Sequence, residues 1–393
     1  MKNPGDSTRR LRVLHGITHL ALGGAEQVAF TLMRGLKGKF DFGVFAVMAP
    51  DPGEFGRALR DELTDLGVPL LSAGSAIPFK AGGLPLAALR LARARRVFRP
   101  DIIQLHTEIP EATAALLAPR QAGSAQVLLR TIHNSVYWDF WPRVGRWTDR
   151  RLSAAHIAGV SQGALDAFTA LRTASGAPPP PAPPILIPNG VEVPAGIPAA
   201  ARPPDAPLRL LFAGRFEPQK GTDLLPAILA AVRLPAGSRG ELTVYGSGAQ
   251  AGLLHALADA PPAGWTVRIL SPVPQLARRL TDFDAVLMPS RYEGVGLVAL
   301  EAMLLGVPLV ATDAPGLREQ LPPEYPWRAK AGDNVDFARQ LQRLLDEPDR
   351  RRETALRTRT LAEVRFGAGA MCQAYASLYR RIAPGLRSNS APC

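Results

Sequence analysis

The chain has 393 residues, of which 47% are hydrophobic and 20% are charged, so it is long enough for two domains with cores of their own. Its 38 Pro and 36 Gly residues follow no repeating period, which excludes a collagen-like fibre. The formal net charge of +12 suggests an acidic partner, such as nucleic acid, a phosphorylated ligand or an anionic membrane, although 40 of the 46 basic residues are Arg and genome composition can explain part of the excess. Only Cys372 and Cys393 are present, too few for a disulfide framework or a Cys-based zinc site, so we expect a cytoplasmic protein.

In the first half of the chain, short apolar runs alternate with longer helical stretches. This alternation predicts a parallel sheet with helices on both faces. The first run follows Arg9 and Arg10, but two His residues interrupt it, so we interpret it as a buried strand and not as a secretory leader. The predicted strands are Leu11–Ile17, Phe42–Val47, Val68–Ser72, Ile102–His106, Val127–Ile132 and Ala155–Val160, and the predicted helices are Ala25–Leu36, Gly53–Leu66, Leu84–Phe98 and Glu111–Leu117.

Two segments rich in Pro and Ala interrupt this pattern. Residues 174–184 predict an extended loop and residues 194–207 a linker, because Pro is excluded from helix interiors and central strands. Glu301 and Pro308 break the longest apolar stretch, so no transmembrane helix is predicted. The segment Ile185–Val193 separates the two stretches. After the linker the strand–helix alternation restarts, and the predicted strands are Leu208–Phe212, Glu241–Tyr245, Thr266–Ile269, Ala285–Met288 and Leu309–Ala311.

We therefore predict an α/β protein with two doubly wound domains, residues 1–190 and residues 205–366. A last helical segment, near residues 368–393, would cross back to the first domain. Ligands of such sheets bind beyond the carboxyl ends of the strands. Two facing sheets would place a central cleft between the domains, and the chemistry is expected in loops that directly follow strands.

Three such loops carry candidate groups. Gly23 and Gly24 open the helix after the first strand, where backbone N–H groups and the helix N-terminus favour an anion, although a glycine-rich turn without a ligand is about as common. The loop after Leu208–Phe212 begins with Gly214 and carries Arg215 and Lys220, a guanidinium fork and an ammonium that together suit a diphosphate. Incidental solvated charges are the alternative there.

The third loop follows the predicted strand Ala285–Met288 and holds the densest motif. Glu293 precedes Gly294, Val295, Gly296 and Leu297, and the glycines would expose backbone N–H groups at a helix N-terminus. Glu301 lies eight residues after Glu293, in a helix otherwise made of Leu, Val, Ala and Met. An ionised carboxylate there is costly without a partner, which can be a salt bridge or the paired hydroxyls of a sugar or ribose.

The Glu293-x7-Glu301 segment, within Pro-Ser-x-Tyr-Glu-Gly-x-Gly-Leu-x-x-x-Glu-Ala, resembles the motif of glycosyltransferase family 4. Gly23-Gly24-Ala25-Glu26, the Gly214–Gly221 loop and Ile187-Pro188-Asn189-Gly190-Val191 resemble other segments of that family in the same order. The resemblance implies a retaining enzyme with two Rossmann-like domains (the GT-B fold). Such an enzyme moves a sugar from a nucleotide diphosphate to an acceptor hydroxyl, here in cell-surface glycan or glycolipid synthesis.

The resemblance also implies a role for each matching residue. Arg215 and Lys220 would hold the donor diphosphate, with Gly214 beside them, and Glu301 would accept hydrogen bonds from the ribose hydroxyls. Glu293 and the backbone of residues 294–297 would face the donor sugar, while Gly23 and Gly24 approach the phosphate from the first domain. His133, which follows a late strand of the first domain, would lie near the donor sugar, and His106 would shape the floor of the cleft.

Two departures from the family pattern affect the details of the site. Val295 stands where Phe is common, and Ala314-Pro315-Gly316 replaces the more usual double Gly. Asp282-Phe283-Asp284 matches the metal-binding Asp-x-Asp of another transferase fold, but it precedes a strand instead of following one. We therefore expect no metal and no cofactor besides the nucleotide-sugar substrate, for example a UDP- or GDP-sugar, and we expect the leaving phosphate to take the acceptor proton.

The basic excess is concentrated in the first domain, because residues 1–190 hold 22 basic and 14 acidic side chains. Arg90, Arg93, Arg95, Arg96 and Arg99 lie along one predicted helix, and residues 137–151 combine Tyr, Trp and Phe with Arg. Such a combination suits an anionic membrane, a carbohydrate acceptor or an ordinary core. We expect a lipid-linked glycan acceptor at the inner face of the plasma membrane.

Two other functions remain as alternatives. A sugar-nucleotide epimerase can have the same two-domain shape, but it needs no acceptor. A nucleic-acid-binding protein would agree with the charge, although the sequence contains no recognisable reading module. The donor base and sugar, the acceptor, the linkage and the oligomeric state are not determined by the sequence.

Overall fold

The computed structural model describes residues 9–21, 23–75, 83–118, 126–193, 206–234, 237–273 and 275–383. The chain divides into two compact units. Unit 1 contains residues 1–189 together with 368–393, and unit 2 contains residues 190–367. Among the described residues, no helix combines the length and the apolar character needed to span a membrane.

Unit 1 is built on a seven-stranded parallel sheet with the order β3-β2-β1-β4-β5-β6-β7. Its central strands are buried on both faces, as apolar runs without alternation predict. The strands are β1 Arg12–Ile17, β2 Asp41–Met48, β3 Leu70–Ser75, β4 Ile102–His106, β5 Val127–Ile132, β6 His156–Gly159 and β7 Ile185–Leu186. The helices are α1 Gly24–Gly35, α2 Glu54–Leu66, α3 Gly83–Phe98, α4 Glu108–Leu117, α5 Pro142–Arg151 and α6 Gln162–Ser175.

Unit 2 repeats the architecture with a six-stranded parallel sheet of order β10-β9-β8-β11-β12-β13. One contiguous apolar core connects this sheet with its helices. The strands are β8 Leu208–Ala213, β9 Gly240–Tyr245, β10 Trp265–Leu270, β11 Ala285–Met288, β12 Leu309–Thr312 and β13 Arg328–Ala329. The helices are α7 Leu225–Ala231, α8 Ala251–Asp259, α9 Ala277–Leu280, α10 Leu297–Leu304, α11 Asn334–Asp346 and α12 Pro348–Phe366.

The last helix of the described chain, α13 Ala368–Ile382, belongs to unit 1 and packs against α1. Met371, Cys372, Tyr375 and Tyr379 enter the same apolar core as β1 and β2. The approach is close, because a Cβ atom built on Gly35 would lie 2.4 Å from the Cys372 sulfur.

The predicted strands and helices are found within a few residues of their predicted bounds. The segment Ile185–Val193, between the two Pro-rich stretches, contributes only the two-residue strand β7, and the chain leaves the sheet just before Pro188, a residue without an N–H group. The predicted loop 174–184 is confirmed from residue 176 onward, because α6 continues to Ser175 and ends at Gly176 with φ +67°. Most of the predicted linker, residues 194–205, lies outside the described residues.

Candidate active site

Two loops leave the carboxyl edge of the unit 2 sheet side by side. β8 and β11 are adjacent and parallel, with Leu210 opposite Ala285 and Leu211 opposite Val286. The segment that follows β8 contains Arg215 and Lys220, and the segment that follows β11 contains Glu293. Strands far apart in sequence therefore bring the predicted cations and the predicted acid to one edge.

Lys220 and Glu293 form an ion pair at this edge. The Lys220 Nζ atom donates to both carboxylate oxygens of Glu293, each at 2.7 Å. The Glu293 side chain is only 3% exposed, whereas that of Lys220 is 20% exposed. The Ser290 hydroxyl donates to Glu293 Oε1 at 2.8 Å, and Glu293 N donates to the Pro315 carbonyl at 3.0 Å. Glu293 is thus held rigidly, and its partner keeps access to solvent.

A second set of contacts, which was not predicted from the sequence, joins the two loops. Arg291 makes a two-pronged ion pair with Asp223, with both nitrogen–oxygen distances 2.7 Å. Hydrogen bonds to Arg291 lower the pKa of the Asp223 carboxyl. Gln219 Nε2 donates to the Tyr292 carbonyl at 3.2 Å. In the sequence, only the position of Arg291 inside the glycine-containing loop pointed to a role. Its partner Asp223, 68 residues away, could not be identified from the sequence.

Two glycines permit the close approach of these loops. Gly221 has φ +70°, and a Cβ atom there would lie 2.1 Å from the Pro289 carbonyl oxygen. Gly316 has φ +81°, and a Cβ atom there would lie 2.2 Å from the Glu293 carbonyl oxygen. Both conformations favour Gly. In Ala314-Pro315-Gly316, which departs from the family pattern, a glycine is therefore present at the position next to the Glu293 backbone.

Arg215 lies in the same loop but is exposed. It pairs with Glu217 at 2.9 Å and donates to Gln219 Oε1 at 2.8 Å. The side chain of Lys220 passes Gly214, where a Cβ atom would lie 3.7 Å from Lys220 Cγ and Cδ. Both predicted cations therefore have acidic partners within unit 2.

Glu301 has no side-chain hydrogen bond or ion pair with any described residue. It lies one turn after Leu297 in α10, whose other side chains are apolar, and Gly296 caps that helix. Burial raises the pKa of the Glu301 carboxyl from 4.5 to about 7. Gly294 and Gly296 are buried, while Val295 and Leu297 are half-buried against the core. In the described part of the chain, the carboxylate thus lacks the partner that an ionised group in so apolar a helix normally has.

In unit 1, Gly23 precedes α1, and Gly24 is its first residue. A Cβ atom built on Gly23 would lie 2.0 Å from a carboxylate oxygen of Glu26. Glu26 is buried, so its own carboxylate lies at the helix N-terminus where an anion was expected.

His133 follows β5 and is the outer member of a row of three histidines. His15 Nδ1 lies 3.0 Å from His106 Nε2, and His106 Nδ1 lies 2.9 Å from His133 Nε2. Burial lowers the pKa values of His15 and His133 to about 3, and burial together with the two flanking rings lowers that of His106. All three rings are therefore neutral at physiological pH.

The Asp282-Phe283-Asp284 motif is located at the amino end of β11, as expected. Asp284 Oδ2 accepts a hydrogen bond at 2.8 Å from the backbone N–H of Arg209, at the start of β8. This contact joins two strands at the edge opposite the candidate site.

The aromatic stretch of residues 137–151 separates into buried and exposed parts. Tyr137 and Trp138 are buried, whereas Phe140 is 85% exposed and Trp141 is 40% exposed. Below them, the fully buried Arg130 donates to Asp149 Oδ1 at 2.7 Å and to Glu111 Oε2 at 3.0 Å. The Tyr137 hydroxyl also donates to Glu111. Burial raises the pKa of Glu111 despite these partners.

Two family models match the chain. One, described as glycosyl transferases group 1, matches residues 197–360. The other, described as glycosyltransferase family 4, matches residues 22–193. The chain belongs to glycosyltransferase family 4. This confirms the family inferred from the sequence motifs, and neither the epimerase nor the nucleic-acid alternative is favoured.

Curated relatives of this family 4 chain match it in part. D-inositol 3-phosphate glycosyltransferase 2 of Catenulispora acidiphila is 35% identical over 199 residues, which are 47% of this chain and 46% of the relative. Glycogen synthase of Mycobacterium tuberculosis is 36% identical over 137 residues, which are 34% of this chain and 33% of the relative. The chain spans about half of the length of the first of these relatives, and less of the second.

Solved structures resemble the family 4 chain over nearly its whole length. Anabaena HepE in complex with UDP-glucose has a TM-score of 0.76 at 17% identity, covering 95% of this chain and 100% of HepE. Sucrose-phosphate synthase of Thermosynechococcus elongatus has a TM-score of 0.76 at 18% identity, covering 96% of this chain and 100% of the synthase. At these identities the likeness establishes the fold, which consists of two parallel-sheet Rossmann-like domains of the GT-B class.

Proposed function

We propose that the protein is a retaining glycosyltransferase that moves a sugar from a nucleotide diphosphate to an acceptor hydroxyl. The observation that carries this proposal is the group at the carboxyl edge of the unit 2 sheet. There, a partly exposed ammonium is held by a buried carboxylate, and the helix that follows carries a second carboxylate, Glu301, that has no side-chain partner among the described residues. Parallel α/β sheets bind nucleotides at this edge.

In this proposal Lys220 binds the donor diphosphate without leaving Glu293. An ammonium has three N–H donors, and two of them are directed to the Glu293 oxygens at 2.7 Å. The third is available for a phosphate oxygen. Arg215 is exposed and can turn from Glu217 toward the diphosphate, where its charge would stabilise the departing nucleotide.

Glu301 would accept hydrogen bonds from the two ribose hydroxyls. These donors would supply the partners that the carboxylate lacks, and they would lower its raised pKa. Glu293 and the backbone N–H groups of residues 294–297 would face the donor sugar. Val295 and Leu297 would then provide apolar contacts to the donor sugar.

The roles that the resemblance implies for His133, Gly23 and Gly24 of unit 1 stay predictions. The departing phosphate would take the proton of the acceptor hydroxyl. Its negative charge would be balanced by Arg215 and Lys220 and not by a metal ion. Transfer should therefore persist in EDTA, and loss of activity that added Mg²⁺ or Mn²⁺ restores would overturn this metal-independent mechanism.

A panel of nucleotide sugars, beginning with UDP-glucose and GDP-mannose, tests the donor assignment by thermal shift and by slow hydrolysis. We expect at least one donor to raise the melting temperature of the wild type, and Lys220→Ala and Glu301→Ala to lose the shift. The control Lys330→Ala removes an exposed lysine outside the site and should keep it. If no donor stabilises the wild type, or if the Lys220 and Glu301 variants respond normally, the assignment is wrong.

The same donor then serves in an acceptor assay with two classes of acceptor. One class is a lipid-linked glycan, the acceptor that we predict from the sequence. The other is D-inositol 3-phosphate, the compound in the names of several relatives. Its phosphate would suit the basic first unit. Donor hydrolysis without transfer to either class would leave the donor assignment intact and refute both acceptors.

We further propose that unit 1 binds an anionic membrane from the cytoplasmic side. The exposed Phe140 and Trp141 stand next to the exposed Arg143 at the start of α5. Aromatic rings enter the headgroup layer, and arginines bind anionic lipid. A second exposed face on α3 combines apolar and basic residues in the same way: Leu89, Arg93, Arg96 and Val97.

Vesicle flotation tests this membrane contact. We expect binding to vesicles with 30% phosphatidylglycerol and release in 0.5 M NaCl, because the attraction of exposed charges is screened by salt (about 10 Å Debye length at 0.1 M). Phe140→Ser with Trp141→Ser should reduce binding, whereas Leu356→Ser, an exposed apolar residue of unit 2, should not. Equal binding by all variants would refute the role of these aromatic residues.

A further inference from the structure

A basic cavity lies at the amino edge of the unit 1 sheet, where the adjacent parallel strands β1, β4 and β5 begin. Its volume of about 440 Å³ is within the roughly 300–1,000 Å³ of small-molecule sites. Ligands of parallel sheets normally bind at the other edge, so this cavity is separate from the site expected for the transfer reaction. The residues that line it begin these strands or precede them: Arg9, Arg12, Arg99, Pro100, Asp101 and Gln126.

The lining has an excess of positive charge. Three arginines and one aspartate give it a formal net charge of +2. Asp101 Oδ1 accepts a hydrogen bond from Arg9 at 2.7 Å, and Asp101 Oδ2 accepts one from the backbone N–H of Arg12 at 2.8 Å. Both carboxylate oxygens are thus occupied, and the only guanidinium that they neutralise is that of Arg9.

The guanidinium groups of Arg12 and Arg99 have no acidic partner. Neither side chain makes a hydrogen bond or an ion pair with a described residue. The half-buried Arg12 guanidinium lies over the Phe98 ring, with its carbon 4.7 Å from the ring centroid. This contact orients the group but leaves its five N–H donors without acceptors. Two such groups at one cavity suit the oxygens of a phosphate.

The wall of the cavity is fixed by contacts of the α3 end. Arg99 follows α3 and has φ +49°, a left-handed conformation that favours Gly after a helix, and its N–H donates to the Arg95 carbonyl at 3.0 Å. Arg95 Nε donates to Gln126 Oε1 at 2.6 Å. A fourth arginine therefore contacts the lining, and the two sides of the cavity are connected.

We propose that this cavity binds a phosphomonoester, with Arg12 and Arg99 in contact with its terminal oxygens. A phosphomonoester has about −1.5 to −2 charges at pH 7 and three terminal oxygens, which complement the net charge of the lining and two guanidinium forks. A carboxylate has one charge and two oxygens, and it would leave one fork unpaired. The proposal goes beyond glycosyl transfer, because the cavity lies within unit 1 and contains no residue assigned to that reaction.

Calorimetric titration with glycerol 3-phosphate tests this site, at about 50 mM NaCl so that exposed charges are only weakly screened. We expect the wild type to bind, and the double variant Arg12→Gln with Arg99→Gln to bind at least about tenfold more weakly. Arg96→Gln removes an exposed arginine of α3 outside the lining and should bind like the wild type. No binding by the wild type, or equal binding by the folded double variant, would overturn the proposal.

Two further variants separate the guanidinium contacts from folding and from charge alone. Because Arg12 packs on Phe98, circular dichroism and the melting temperature check the double variant, and Arg99→Gln alone changes only an exposed side chain. We expect Arg99→Gln to weaken binding while the melting temperature is unchanged. Arg12→Lys keeps the charge but loses the fork, so affinity should fall several-fold. Wild-type affinity in both single variants would overturn the proposed contacts.

The donor site of unit 2 is distinguished by a cross-comparison. Lys220→Ala should keep glycerol 3-phosphate binding, and the double variant should keep the thermal shift with the nucleotide sugar. If Lys220→Ala loses glycerol 3-phosphate while the double variant retains it, the phosphate binds in the donor site and the cavity proposal fails. If no nucleotide sugar stabilises the wild type but glycerol 3-phosphate binding depends on Arg12 and Arg99, the donor assignment fails and the cavity proposal holds.

Vesicle flotation identifies the source of the phosphomonoester, which is either a soluble compound or the headgroup of phosphatidic acid. Vesicles with phosphatidic acid are compared with vesicles that contain the same fraction of phosphatidylglycerol, a phosphodiester. A preference for phosphatidic acid that the double variant loses identifies a lipid headgroup. Glycerol 3-phosphate binding without that preference identifies a soluble ligand. Either result supports the site, whereas a preference that the double variant retains would contradict it.

Discussion

The raised pKa of Glu301 makes the stability of the protein depend on pH in a defined direction. The carboxyl titrates near pH 7 in the folded state and near pH 4.5 in the unfolded state. Between these values the unfolded state loses its proton first, so the free energy of unfolding falls as pH rises. The difference of about 2.5 pKa units corresponds to about 3 kcal/mol, an upper value because Glu301 is partly exposed.

Glu301→Gln removes this dependence while it keeps the shape of the side chain. The variant resembles the protonated form at every pH, so we expect its stability to match the wild type near pH 4.5 and to exceed it by about 2–3 kcal/mol at pH 8. For a unit of this size, this corresponds to a melting temperature roughly 5–10 °C higher. The same variant should lose donor binding, because an amide cannot replace the carboxylate as a double acceptor.

Urea unfolding at four values between pH 4.5 and pH 8 measures the effect. The buried Trp265 and Trp327 report the unfolding of unit 2 by fluorescence. Glu353→Gln, on the exposed side of α12, is the matched control and should run parallel to the wild type. If the free energy of unfolding of Glu301→Gln has the same pH dependence as that of the wild type, the pKa of Glu301 is not raised in the folded state. A variant that gains stability at pH 8 yet binds the donor normally would refute its ribose-binding role alone.

Three further predictions concern groups that the fold places together. Arg130→Met should destabilise unit 1 by about 3–5 kcal/mol, because Glu111 then lacks a cation in a buried site and Asp149 keeps only Arg172; a loss below 1 kcal/mol by urea unfolding would contradict this. Lys220→Met should destabilise unit 2 by about 2 kcal/mol, and Glu293→Gln added to it should restore most of the loss; an additive double variant would show that the two residues are not coupled. Gly221→Ala should lower both the melting temperature and the donor affinity, because its Cβ atom would clash with the Pro289 carbonyl. Gly252→Ala is the control and should lower neither, since a Cβ atom there meets nothing within 4 Å. Similar behaviour of the two variants would refute the close approach of the loops.

The sequence identified the elements that depend on local patterns. Apolar runs such as Ile102–His106 and Ala285–Met288 have the structural bounds that were predicted, because strands buried on both faces must be apolar throughout. α5 was not predicted as a helix, since Val144 and Trp147 are its main apolar residues and a periodic pattern is absent. β13, a strand of two residues, is too short to leave any pattern.

The sequence by itself determined the strand–helix alternation, the loops in which the charged groups lie and the family to which the chain belongs. Only the tertiary structure decided the partners of those groups. Lys220 pairs with an acid 73 residues away, and His133 is bonded through His106 to His15, because parallel strands distant in sequence become neighbours in a sheet. Packing also decides that Arg130 is a buried structural cation and that Glu301 has no side-chain partner among the described residues, since burial depends on packing and not on residue type.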